Sequence, residues 1–281
     1  MTEIASSLTR AVARQYDLLQ TSLERMGKER KFLNYGFTVT GDEPDDPIDE
    51  RQQRLCLEVF KAADIGPDHL VVDVGFGSGE QDFLFARTSE FRQLIGFNIS
   101  DRQVRYATDR ARGEKLDRKL TFCLGEAELL PGIADASVDR LLAIECAFYF
   151  DRPRFYRRAA QVLKPGGLLV AADIALSDRL AFLTRREDLG RVGTASENRR
   201  EWERSFRTRS VRHINRQTRP GVQMSVWRIL KTAPLARFTA AERREWLKMA
   251  YYSQLVALGL SLELVTYDLL VLEKPVLEKK E

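Results

Sequence analysis

Hydrophobic and polar positions divide the chain into stretches of different period. Ile4, Leu8, Val12, Leu18, Leu19 and Leu23 recur at roughly helical spacing without an internal Pro or Gly, which predicts a helix over 3–27. A Pro, Gly and Asp cluster at 41–47 breaks the pattern, and a helical period resumes from Ile48 to Ala63, ending before Gly66-Pro67. From His69 the pattern changes to short apolar runs: HLVVDV, RQLIGF, LTFCLG, VDRLLAIECA and GGLLVAADI. These runs do not alternate in polarity, as expected of parallel strands covered by helices on both faces. Helical stretches over Glu80–Thr88, Asp101–Arg112 and Arg154–Leu163 separate them.

That alternation predicts an α/β fold with a doubly wound sheet, and in such sheets ligands lie beyond the carboxyl ends of the strands. Function is therefore expected at Asp73–Gly79, Asn98, Glu126, Glu145 and Asp173. Residues 176–238 interrupt the alternation with eight arginines between Arg199 and Arg219, Trp202, Trp227 and His213, and read as a helical lid inserted after the fifth strand. After it, 240–257 is helical, and SLELVTYDLLVLEKPV reads as two strands joined tightly around Tyr267-Asp268, bringing the sheet to seven. The expected organisation is an N-terminal helical cap (1–63), a ligand-binding core (64–175), a substrate lid (176–238), and a C-terminal helix and strand pair completing the core (239–281).

With 44% hydrophobic and 31% charged residues, the 281-residue chain is ordinary globular protein and long enough to bury a sizeable core. The net charge of +4 is uneven: Asp178–Lys248 holds 18 Lys or Arg against 8 Asp or Glu, so the basic character belongs to the insertion. Cys56, Cys123 and Cys146 are far apart and form neither a disulfide framework nor a metal-ligand spacing, which points to a reducing, cytoplasmic setting. The N-terminus lacks an unbroken apolar core, and no stretch is long enough to span a membrane. The apolar stripe of the first helix leaves room for a homo-oligomer.

The stretch VVDVGFGSGEQ follows a strand and opens a helix, with Gly75, Gly77 and Gly79 allowing sharp turns and close approach to a ligand. In the dinucleotide fingerprint the third glycine would fall at Glu80, so a pyrophosphate would meet a carboxylate. A ligand with an ammonium and a sulfonium suits Asp73 better. The chain resembles the class I S-adenosylmethionine-dependent methyltransferases, particularly those acting on small molecules of natural-product and lipid metabolism. VVDVGFGSGE, LIGFNISDRQVRYA, LTFCLGEAELLP and LKPGGLLVAADI are similar to their first, second, third and fifth motifs. The resemblance implies a Rossmann-like sheet, S-adenosylmethionine as cofactor and no metal. It implies Asp73, Gly75, Gly77 and Gly79 at the amino-acid end, Asn98, Ser100 and Gln103 toward the ribose, Glu126 toward the adenine, and Tyr35 of NYGF closing over the methionine moiety. Glu145, at the end of the fourth strand, borders the cofactor pocket. Asn98 and Glu126 depart from the acid and the Asp that most members have there.

Transfer from a sulfonium is an in-line displacement, so catalysis is positioning plus, for a hydroxyl acceptor, a base. O-methylating relatives have Glu and, four residues later, His; here the spacing gives Glu145 and Tyr149, and a phenol is a poor base at neutral pH. Three readings stay open. Tyr149 orients the substrate while Asp173 or His213 acts as base; the nucleophile is an amine or alkene needing no strong base; or the aromatics face a cation. The Glu-x-x-x-Tyr pattern is also similar to that of enzymes that C-methylate prenyl diphosphates. The arginine-rich lid reads as a solvated helix or as a phosphate-binding face. The expected activity is methylation of a small, lipophilic or phosphorylated molecule at oxygen, nitrogen or carbon. The alternatives are a nucleic-acid methyltransferase using the basic lid and an NAD-dependent oxidoreductase. The first lacks an Asn/Asp-Pro-Pro-Tyr/Phe or Pro-Cys motif at the fourth strand, so no nucleic-acid partner is expected, and the second lacks a hydride-transfer set.

Overall fold

A computed structural model describes residues 7–25, 32–43, 46–185, 191–232 and 238–276. Among these, seven strands form one sheet in the order β3-β2-β1-β4-β5-β7-β6. They are β1 (Leu70–Val74), β2 (Gln93–Asn98), β3 (Leu120–Leu124), β4 (Val138–Ile144), β5 (Leu163–Leu176), β6 (Arg207–His213) and β7 (Val265–Glu273). β1 to β5 are parallel, β7 runs antiparallel to β5, and β6 runs antiparallel to β7. β1 pairs with both β2 and β4, so the strand order reverses there and the ends of β1 and β4 flank the crevice where doubly wound sheets bind ligands.

The central strands are mostly apolar because two cores sandwich them. One holds Val71, Leu94, Leu142, Ile144, Ala172, Ile174 and Tyr267, and the other Val72, Val74, Leu141, Ala143, Leu169, Ala171 and Leu270. Helices α1 (Ser7–Arg25), α2 (Ile48–Ala62), α3 (Glu80–Thr88), α4 (Asp101–Gly113), α5 (Arg152–Val162), α6 (Ala195–Trp202), α7 (Asn215–Thr232) and α8 (Ala240–Ser261) cover the sheet. Their starts are written locally. Ser100 caps α4 by accepting from the Gln103 amide, Asp151 caps α5, and Thr194 with Glu197 and Thr239 with Glu242 form reciprocal capping boxes on α6 and α8.

Two expectations are corrected. Tyr267 and Asp268 do not form a turn between two strands; they lie inside β7, which is continuous. The remaining strand comes from the segment expected to be lid. β6 carries no apolar run and its residues are mostly exposed, so hydrophobic patterning could not reveal it. The β7 ladder and ion pairs from Arg207 and Arg209 to Glu273, at 2.6 and 3.0 Å, hold it at the sheet edge. Arg199 and Arg204 of the same insertion pair with Glu203 and Glu201 on exposed surface, the solvated-helix reading. Trp227 lies where side chains are not described.

Candidate active site

The turn after β1 is built from left-handed backbone. Gly75, Gly77 and Gly79 have φ of 72°, 60° and 80°, a region open to glycine at little cost. A Cβ on Gly75 would lie 2.6 Å from Cys146 Cβ, so Cys146 is a packing partner of the loop; its thiol donates to the Val74 carbonyl. Gly79 is the N-cap of α3 and supplies no side-chain acceptor, which leaves the helix terminus receptive to an anion. Glu80 faces Arg110 and Arg87, so its charge is answered by guanidinium groups and does not decide against a pyrophosphate.

Asp73 is fully buried at the end of β1, where one oxygen accepts from Gln81 Nε2 at 2.6 Å. The other oxygen and both oxygens of buried Asp82, one turn into α3, have no N–H donor. Burial disfavours the charged form of both carboxyls. It pushes Asp73 up to about 6 and Asp82 well above the usual carboxylate range, and the Asp73 charge adds to the rise of Asp82. The sequence reading missed Asp82 and Gln81, although both follow the loop within a helical turn.

Asn98 ends β2, donates to the Gly77 carbonyl at 3.2 Å and to Gln103 Oε1 at 2.9 Å, and accepts from the Ser100 amide. Ser100 donates to Asp17 of α1 at 2.5 Å while capping α4. Asn98, Ser100 and Gln103 thus brace the second turn as a unit against the glycine loop. Glu126 is buried just past β3, on the same sheet edge. α1 crosses this edge. Tyr16, Leu19, Gln20, Leu33, Gln103, Trp246 and Met249 enclose a cavity of about 40 Å³, and a Cβ on Gly77 would sit 3.2 Å from Leu33 Cδ1. That volume holds little more than water.

At the end of β4, Glu145 has φ of 52°. Leu141 and Ala143 face the second core, and continued alternation would send Glu145 the same way. The left-handed residue reverses the direction and turns the carboxylate toward the other face. There it accepts from the Tyr35 amide at 2.7 Å and from the Tyr267 hydroxyl. Burial pushes Glu145 up to about 8, against the lowering effect of those two bonds, and the nearby Asp173 charge adds to the rise. A strained φ on a carboxylate beside a glycine cradle is the kind of outlier found at functional sites. Segment 34–38 is fixed in turn by α7: the Thr38 amide donates to the Gln217 carbonyl, and a Cβ on Gly221 would lie 1.7 Å from the Tyr35 oxygen.

Tyr149 stands four residues on, its hydroxyl accepting from Tyr16 at 3.2 Å with the rings edge-on. Burial raises its hydroxyl further from ionisation, so it orients better than it deprotonates. Phe148 packs beside Tyr149, and Phe150 on Phe155, as core.

The two residues expected to act as base, Asp173 and His213, lie away from the Glu145 carboxylate. Asp173 is buried on the α5 face and ion-paired with Arg152 at 2.6 Å, and Arg152 also donates to the carbonyls of Arg191, Ile174 and Val192. This is a strut joining β5 to the insertion. His213 lies on the row Asp173–Asp268–His213, two strands over, about 10 Å away by strand spacing. Its side chain is 72% exposed at the sheet edge and bonded to Asp268 at 2.5 Å. Neither group joins the Glu145 cluster. Tyr267, which does, was hidden in a segment read as a turn; the alternation of LVTYDLL was the available signal.

A methyltransferase domain family matches residues 72–171. Erythromycin 3''-O-methyltransferase of Saccharopolyspora erythraea is 35% identical over 147 residues, 52% of this chain and 47% of that protein. Methyltransferase GfsG of Streptomyces halstedii is 34% identical over 179 residues, 62% of this chain and 61% of its own. The chain thus spans about half to three fifths of these relatives. The [4+2]-cyclase SpnF shares the fold at a TM-score of 0.79 and 21% identity, over 94% of this chain and 95% of that one. Among the described residues no helix is long and apolar enough to cross a membrane. A glycine cradle, an uncapped helix terminus and a strand-end acid all lie inside residues 72–171, the segment that matches the methyltransferase domain family.

Proposed function

We propose that this protein transfers a methyl group from S-adenosylmethionine to a hydroxyl oxygen of a small natural-product molecule, lipophilic or phosphorylated, with Glu145 accepting the hydroxyl proton. The observation that carries this reading is the reversed Glu145 carboxylate, held by Tyr267 and the Tyr35 amide beside the glycine cradle. Names of relatives that specify an acceptor oxygen, including 27-O-demethylrifamycin SV methyltransferase of Amycolatopsis mediterranei at 30% identity, support it.

The residues fit the cofactor. Asp73 is suited to its ammonium, the α3 terminus to its carboxylate, the Asn98–Gln103 unit to its ribose hydroxyls and Glu126 to its base. When bound, the cofactor supplies an electrophilic methyl group on a sulfonium. Tyr149 positions the acceptor, and α1 with Leu33 excludes water from the closed site. Glu145, held by the Tyr267 hydroxyl and the Tyr35 amide, would take the proton of the acceptor hydroxyl as that oxygen receives the methyl group from the sulfonium, which would leave as the neutral thioether.

Calorimetry with S-adenosylmethionine, S-adenosylhomocysteine and NAD, followed by a labelled-methyl assay over hydroxylated macrolides and phosphorylated alcohols, tests this. Heat with both sulfur ligands and none with NAD is expected, with label incorporated at oxygen. Absence of heat with either sulfur ligand overturns the cofactor assignment. Label on nitrogen or carbon overturns the acceptor.

A further inference from the structure

Helix α8 is apolar on two opposed sides. Trp246, Ala250, Ser253, Ala257 and Leu260 are buried against the body of the protein. On the other side Leu247, Tyr251, Leu255, Leu258 and Leu262 are 51, 62, 45, 56 and 55% exposed. Steps of four, four, three and four residues place these five, the last being the C-cap just past the helix, on one quadrant over about 22 Å. A surface helix ordinarily turns one apolar face inward and polar residues outward, and over this stretch the outward face is apolar as well.

We propose that the exposed face of α8 is a two-fold interface with a second copy of this chain, the two helices running antiparallel. The spacing reads nearly the same in both directions. Leu247 therefore falls opposite Leu262 of the second copy, Tyr251 opposite Leu258, and Leu255 against its own counterpart on the axis. An isologous contact requires this self-complementarity. The charges agree. Arg244, 80% exposed and only 3.9 Å from its neighbour Glu245, extends the stripe at its start, and exposed Glu263 follows Leu262 at its end. Antiparallel packing sets Arg244 against the Glu263 end of the second copy, twice, and opposes the helix dipoles. Parallel packing would stack Arg244 on Arg244. The stripe with neighbouring Tyr252 gives an interface on the order of 1,000 Å² over both copies, near the lower bound for a specific contact.

Sedimentation of the full chain from micromolar to submillimolar concentration is expected to show a dimer. Leu255→Glu with Leu258→Glu should weaken it at least tenfold while leaving the circular dichroism unchanged, because both positions are exposed. Arg244→Glu and Glu263→Arg should each weaken it, and together restore it. Under mild oxidation Leu255→Cys should cross-link and Leu247→Cys should not, with the parent chain and its Cys56, Cys123 and Cys146 as background. A monomeric parent chain overturns the proposal. So does equal cross-linking at both positions, or a monomer that sediments with anionic phospholipid vesicles through this face.

Discussion

The Tyr267 hydroxyl donates a hydrogen bond to the carboxylate of Glu145, 122 residues earlier in the chain, from a strand that pairs with β5 and not with β4. The bond exists because Glu145 leaves the alternation of β4 through a left-handed backbone. It favours the charged carboxylate, while burial disfavours it. Turnover should therefore rise with pH through a midpoint near 8, where Glu145 loses its proton. Tyr267→Phe removes a donor to the charged form and should move that midpoint upward by about 1 to 2 pH units, since such bonds contribute about 1.5–3 kcal/mol. Glu145→Gln should abolish the limb and retain cofactor binding. A pH profile of kcat for the three proteins checks both, and an unmoved midpoint in Tyr267→Phe would remove Glu145 as its origin.

The Asp73–Asp82 pair makes a prediction about stability. Both carboxyls have folded pKa values above their unfolded ones. Between pH 4 and 6 the native state holds more protons than the unfolded chain, so this contribution is fully present below pH 4 and is lost as pH rises. For Asp73 alone the loss is about 3 kcal/mol. Asp82→Asn removes the like charge, so its stabilising effect in urea denaturation should be larger at pH 7 than at pH 4.5. An equal difference at both values would rule out repulsion between the two carboxylates as its source.

Asp173 and Arg152 should behave as a strut. Arg152→Met leaves a buried carboxylate unpaired and should cost about 3–5 kcal/mol in denaturant titration. Asp173→Asn leaves the buried Arg152 guanidinium without its counter-charge and should also cost stability, but the folded protein should keep most of its turnover, whereas Glu145→Gln should not. Comparable losses of kcat in the two would return Asp173 to the list of bases.

His213→Ala should leave kcat within about twofold and stability within about 0.5 kcal/mol, as expected for an exposed side chain at a sheet edge. A tenfold loss of kcat with unchanged KM would place His213 in the chemistry.

Gly221→Ala tests the support behind Tyr35. No side chain fits 1.7 Å from the Tyr35 oxygen, so segment 34–38 must shift and release Glu145 from the Tyr35 amide. Turnover should fall at least tenfold, with about 1–3 kcal/mol lost in thermal denaturation. A parent-like rate would show that the amide contributes nothing to the carboxylate.

The sequence by itself determined the parallel core, its strand ends and the glycine cradle. Non-alternating apolar runs, capping residues and left-handed glycines are local properties, written within a few residues of where they act. It equally marked Asp73, Asn98 and Glu145, because residues at the carboxyl end of a parallel strand lie at the ligand edge of the sheet. Tertiary structure alone decided what those residues do to one another. β6 has no apolar pattern and exists through its ladder to β7. Asp173 became a strut because Arg152 reached it from another helix. His213 stayed outside because its strand took the far edge. Glu145 faces Tyr267 because one backbone angle reversed it, and hydrophobic periodicity contains no term for such an angle.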